Sequence, residues 1–73
     1  MTDHHINVFH SDEDGGYIAE IPDLPGCSAF GRSPEQAVAE VVVAKRAWIA
    51  AASAEGRPIP EPRYHPASAG PGA

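Results

Sequence analysis

A single cysteine, Cys27, among 73 residues excludes any disulfide within the chain. A lone thiol with no Cys or His at metal-ligand spacing beside it suits a reducing compartment better than secretion. Basic residues are few: five, against ten acidic, and residues 1–40 hold eight acids with Arg32 as their only base. That half of the chain repels a nucleic-acid backbone, because non-specific binding there needs clustered Lys and Arg. Long hydrophobic runs are missing too. None approaches the roughly 18 residues that a membrane-spanning helix needs, and no charged-then-apolar leader opens the sequence. The expectation is a cytoplasmic chain with neither a membrane nor a nucleic acid as its direct partner.

What is there fits one small domain. A chain of this size buries only about 60% of the surface that its unfolded form exposes. With no disulfide or metal pattern to help, self-association is the stabiliser left. The net charge of −5 suits a basic protein partner through electrostatic steering; the plainer account is solubility.

Residues 4–11, HHINVFHS, mix β-branched and aromatic types without a helical period. A strand there places Ile6 and Val8 on one face and Phe9 on the other, which implies cover from both sides or an oligomer contact. Asp12-Glu13-Asp14-Gly15-Gly16 reads as a hairpin turn. Tyr17 to Ile21 is the second strand, with Tyr17, Ala19 and Ile21 on one face. Pro22 and Pro25 remove backbone donors and stop the ladder, Gly26 closes the turn, and Cys27 to Gly31 forms a short third strand. The three strands make an antiparallel meander.

The helix signal is the clearest. Ser33 is the N-cap, Pro34 suits the first helical position and Gln36 completes a capping box. Glu35 sits where the helix dipole favours negative charge. The helix is expected from Pro34 to about Glu55, ended by Gly56 and Pro58. Ala37, Val38, Val41, Val42, Trp48, Ile49 and Ala52 fall within an arc of roughly 140°, the expected core face. The back carries Ala39, Val43, Ala47 and Ala50, relieved mainly by Gln36, Glu40 and Arg46. A second apolar face of small residues reads as a partner or oligomer surface, although alanine is also simply the best helix former. Lys45 is the misfit inside the core arc, either snorkelling past Trp48 to water or meeting a partner carboxylate.

From Gly56 the composition shifts: these 18 residues hold five of the eight prolines and three of the seven glycines. Residues 57–63 are expected to return extended along the domain with Ile59 as an anchor, and 63–66 to offer a short edge strand. The domain is taken as residues 1–66, followed by a disordered tail over 67–73.

Catalytic constellations are hard to assemble. His4 and His10 share a face of the first strand, but six residues of strand separate them by about 20 Å, too far to ligate one metal. Solvated surface histidines are the expectation. Asp12, Glu13 and Asp14 lack the twelve-residue calcium-loop pattern. Cys27 has no base fixed by local spacing and reads as buried packing. Gly15-Gly16 leads into a strand, not a helix, so it is no phosphate cradle. No enzyme activity, cofactor or metal is expected.

The order of residues is similar to a known family. Asp14-Gly15-Gly16-Tyr17, then Pro22-Asp23-Leu24-Pro25-Gly26-Cys27, then Gly31, Ser33 and a helix carrying Ala37 and Trp48, resembles the HicB antitoxins of type II toxin–antitoxin systems. The exit Glu55-Gly56-Arg57-Pro58-Ile59-Pro60-Glu61-Pro62 also looks like that family's, so the resemblance covers about residues 5–63. It implies an α+β fold of the partial RNase H-like kind: a three-stranded antiparallel sheet, one helix packed on it, and a possible short fourth strand. Such domains lack the nuclease's metal-binding carboxylates. The resemblance further implies a HicA-like toxin as partner, a small basic ribonuclease that cuts mRNA, and self-assembly into dimers or tetramers.

Two departures stand out. Many members carry a C-terminal DNA-binding module, for which residues 67–73 show no pattern, and Lys45 stands where the family's helix is usually aliphatic. Two functions follow: a toxin-neutralising binding protein, or an orphan homo-oligomeric domain with a regulatory or ligand-binding role. In either, Asp12, Glu13, Asp14, Ala39, Val43 and Ala47 are the candidate partner or oligomer contacts.

Overall fold

The computed structural model describes residues 4–64. Strands β1 (Asn7–Ser11), β2 (Gly16–Glu20) and β3 (Ser28–Gly31) form one antiparallel sheet in the order β1-β2-β3, and helix α1 (Pro34–Ala54) packs on it. This is the α+β meander-plus-helix that the sequence predicts. β1 is shorter than expected: residues 4–6 precede the ladder.

The helix begins as its local chemistry dictates. Ser33 has an extended backbone, and its Oγ accepts the N–H of Gln36 at 3.1 Å. The reciprocal bond differs from the expected box, because Gln36 Oε1 accepts the N–H of Arg32 at 2.6 Å, one residue before the cap. At the other end, Gly56 donates to the Ser53 carbonyl at 3.1 Å and Arg57 to that of Ala52 at 2.8 Å. This nested pair satisfies carbonyls that the helix leaves open. Ser33→Ala is expected to cost about 1 kcal/mol, seen as a lower urea midpoint. An unchanged midpoint would mean that the Gln36–Arg32 bond alone secures the helix start.

Register decides what each sheet face carries. Val8, Ala19 and Ala29 lie side by side on one face, and Phe9, Ile18 and Phe30 on the other. The helix covers the first. The core beneath it is Ala19, Ile21, Leu24, Cys27, Ala37 and Val41, with Ile6, Tyr17, Ala29, Ala44 and Trp48 packed against it. Alanines at the centre keep the layers close.

The expected core arc is too wide. Ala37, Val41 and Ala52 are buried, but Val38, Val42 and Ile49 are only half-buried, and Ala44, outside the arc and also half-buried, packs against the core. A sheet of three strands is narrow, so only the helix's centre line is covered. The helix also lies over β3 and β2 more than β1, leaving Val8 partly open at the sheet edge. Lys45 is half-buried, with no ion-pair partner among the described residues.

The hairpin between β1 and β2 corrects one reading. Gly15 takes the left-handed conformation of the turn, but Gly16 does not. Gly16 opens β2, and a Cβ there would stand 2.6 Å from the Phe30 ring and 2.7 Å from the Gly31 carbonyl oxygen. Close approach, not turn geometry, requires that second glycine.

Candidate interaction surfaces

The segment joining β2 to β3 folds into two successive turns. Leu24 donates to the Ile21 carbonyl at 3.0 Å, Cys27 to that of Leu24 at 2.9 Å, and Ile21 to that of Cys27 at 3.0 Å. Pro22 and Pro25 occupy the second position of each turn, where their fixed φ is favourable and no donor is lost. The result drives Leu24 into the core with no exposed surface, a burial that the turn reading did not anticipate. Trp48 secures the loop from the helix by donating its indole N–H to the Pro25 carbonyl at 2.9 Å. The Arg57 guanidinium lies over the same ring, 5.7 Å from its centroid.

Asp23 holds the chain that follows the helix. Its Oδ2 accepts the N–H groups of Arg63 at 2.9 Å and Tyr64 at 3.0 Å. His4 donates from Nε2 to the Pro60 carbonyl at 2.7 Å, since a carbonyl only accepts. His5 stacks obliquely on Tyr64 with ring centroids 4.8 Å apart. His4 and His5 are therefore part of the fold, not free surface histidines. Ile59 is half-buried, but polar contacts do much of the anchoring. Residues 57–64 carry no strand, and 65–66, the rest of the expected edge strand, lie outside the described residues, as does the tail 67–73.

The backbone donors of Tyr64 and Arg63 hold the Asp23 carboxyl below its ordinary value of 3.8. A lowered folded-state pKa means that this contribution to stability is complete above the ordinary value and is lost as pH falls through the folded one. The Arg63 and Tyr64 amide proton resonances are thus expected to shift together below about pH 4 and to lose that titration in Asp23→Asn. Amides that move independently would show that the carboxylate does not hold the segment.

The acidic turn divides into two roles. Asp14 accepts from Ser11 Oγ at 2.8 Å, and its own N–H reaches that oxygen at 3.3 Å, so it braces the turn. Asp12 projects almost entirely into solvent, with His10 Nδ1 3.1 Å from its carboxylate, and Glu13 is exposed without an ion-pair partner among the described residues.

Ala39, Val43 and Ala47 are all exposed on the back of the helix, Val43 by 60%. Asp12, Glu13 and Asp14 belong to the turn between β1 and β2, and Ala39, Val43 and Ala47 to the helix, so the six predicted contact residues come from two elements.

A third surface escaped the sequence reading. On the helix-free side of the sheet, Phe9 is 47% and Phe30 42% exposed, with half-buried Ile18 between them. Apolar residues on both faces of β1 hinted at it; the alignment of three such residues across three strands required the register. Cys27, by contrast, is buried, and burial pushes its thiol pKa up, with Lys45 opposing. A thiol so held is a poor nucleophile. No three His, Cys, Asp or Glu side chains among the described residues converge to hold a metal. No helix among them is long and apolar enough to cross a membrane.

Fold and surfaces together define a class: a small α+β module whose distinguishing features are faces and turns. Residues 5–67 match the family model described as the HicB_like antitoxin of bacterial toxin-antitoxin system. The chain belongs to this family of HicB-like antitoxins. It is similar to UPF0150 protein ssl0259 of Synechocystis sp., with 34% identity over 53 residues covering 73% of each chain. UPF0150 protein Ta0767 of Thermoplasma acidophilum is also 34% identical over 53 residues, covering 73% of this chain and 77% of its own. No solved structure matches.

Proposed function

We propose that this chain binds and neutralises a HicA-like toxin, a small basic mRNA-cleaving ribonuclease, by protein–protein contact in the cytoplasm. The observation that carries the proposal is the family match, which spans the sheet, the helix and the returning segment as one unit. The physical feature that supports it is the projecting hairpin acids Asp12 and Glu13, a lure for a basic partner. The inhibitor acts by occupancy and not by chemistry. It needs no cofactor, and its partial RNase H-like architecture serves as a scaffold without nuclease activity. DNA binding by these residues is not part of the role, given their net charge of −5. Self-association into a dimer or tetramer accompanies it, and the helix back at Ala39, Val43 and Ala47 is the surface offered to the toxin or to a second copy.

The other reading is an orphan homo-oligomeric domain with a regulatory or ligand-binding role, favoured by the amount of exposed apolar surface. Co-expression with the product of a neighbouring small basic open reading frame separates the two. Growth rescue together with recovery of a stable complex is the expected result. Absence of both toxicity and complex would transfer the assignment to the orphan module.

A further inference from the structure

The helix-free face of the sheet is built in three rows. The middle row is Phe9, Ile18 and Phe30; one flanking row is Asn7, Glu20 and Ser28; the other is Ser11 and Gly16, with Arg32 just past the end of β3. Gly31 is buried against the helix start, where a Cβ would meet the Ala37 backbone. Alternation along the chain therefore places the next residue, Arg32, toward the open face. Glu20 and Arg32 thus mark opposite ends of one apolar band, and neither has an ionic partner among the described residues. Gly16 matters here as well, because the absence of its side chain leaves room for the Phe30 ring.

We infer that this face mates with the same face of a second copy of the chain, through a two-fold axis that runs across the strands. Stacked sheets keep their strands roughly aligned and interdigitate side chains at about 10 Å separation, so two two-fold arrangements are available. An axis along the strands sets Glu20 over its own mate and brings both acidic hairpins to one end, six carboxylates together. An axis across the strands reverses one copy. Glu20 of each then meets the Arg32 end of the other, the Phe9, Ile18 and Phe30 rows coincide, and the hairpins lie at opposite ends. Charge selects the second arrangement. The contact is self-complementary, as a closed dimer requires, and it leaves the hairpin acids free for a different partner. It stands independently of toxin binding. A face of three short strands covers less than the roughly 800 Å² per partner of a standard interface, so the dimer is weak and concentration-dependent.

Sedimentation equilibrium on the full chain from about 5 to about 500 μM, with circular dichroism to check folding, tests the inference. Wild type is expected to dimerise reversibly. Phe9→Ser removes an interface anchor from each copy and is expected to raise the dissociation constant about thirtyfold or more. Glu20→Arg and Arg32→Glu, each acting twice across the axis, are expected to raise it about tenfold. The double exchange Glu20→Arg/Arg32→Glu restores the pairing and returns the constant close to the wild-type value, which no loss of folding mimics. A wild type that stays monomeric throughout, or a double exchange no better than either single, overturns the inference. So does a dimer that survives Phe9→Ser but is lost in Val43→Glu. A monomeric wild type whose toxin binding alone is lost in Phe9→Ser assigns the face to the toxin and also overturns it. Failure of the co-expression rescue leaves the dimer equilibrium unchanged, so the two readings fall separately.

Discussion

Gly31→Ala is expected to abolish or nearly abolish the folded state, although it adds one methyl group. Gly31 is buried where β3 passes the first turn of the helix. A Cβ there would stand 2.7 Å from the Cα of Ala37 and 2.7 Å from the carbonyl carbon of Gln36. Both obstacles are backbone, so no rotamer change relieves them. The helix has to lift from the sheet, and that lift opens the face on which Ala37 and Val41 are fully buried. Overpacking of this kind costs about 3 kcal/mol or more. A domain this small has only about 5 kcal/mol to lose. A thermal midpoint lower by about 12–24 °C, or no cooperative transition, is expected by circular dichroism. Gly15→Ala is the control: its Cβ meets nothing within 4 Å, and only the left-handed backbone resists, for about 1 kcal/mol. Equal losses in the two variants would mean that the strand–helix contact has slack.

The second large effect is on association. Asp12→Lys/Glu13→Lys reverses the two hairpin acids that play no part in bracing the turn and leaves the Ser11–Asp14 bonds in place. Stability is expected to stay within about 0.5 kcal/mol of wild type, as for exposed substitutions generally. The association rate with a basic toxin is expected to fall about 10- to 100-fold at low salt. Raising the salt should slow the wild type far more than the variant, because only the wild type has steering to screen. Stopped-flow mixing at several ionic strengths gives both rates. A variant as fast as wild type would move the toxin contact from the hairpin to the back of the helix, and Val43→Glu becomes the next measurement.

The candidate contacts were only half legible in the sequence. Asp12, Glu13 and Asp14 announce an exposed turn by composition alone, but composition does not show that Asp14 is spent on Ser11. Ala39, Val43 and Ala47 follow from helical periodicity, which is a local property. The Phe9, Ile18 and Phe30 row arises from pairings between strands separated by turns of different lengths. Asp23 stands between two turn prolines, and its acceptance of N–H groups 40 and 41 residues away has no local signal.

Features that depend on neighbours along the chain were legible from residue order alone: the span of the helix through Ser33, Gln36 and Gly56, the prolines that end the second strand, the alternation within each strand, and the family order of motifs. Each is set by dihedral preference or by hydrogen bonds that close within a few residues. Tertiary structure decided what depends on the meeting of distant segments. It chose which side of β1 the helix covers, drew Leu24 into the core, set Ala44 against that core where Val38, Val42 and Ile49 stay half-buried, and left an apolar row open to solvent. Those outcomes turn on the width of a three-stranded sheet and the lean of one helix across it, and hydrophobic burial is non-directional until the layers have met.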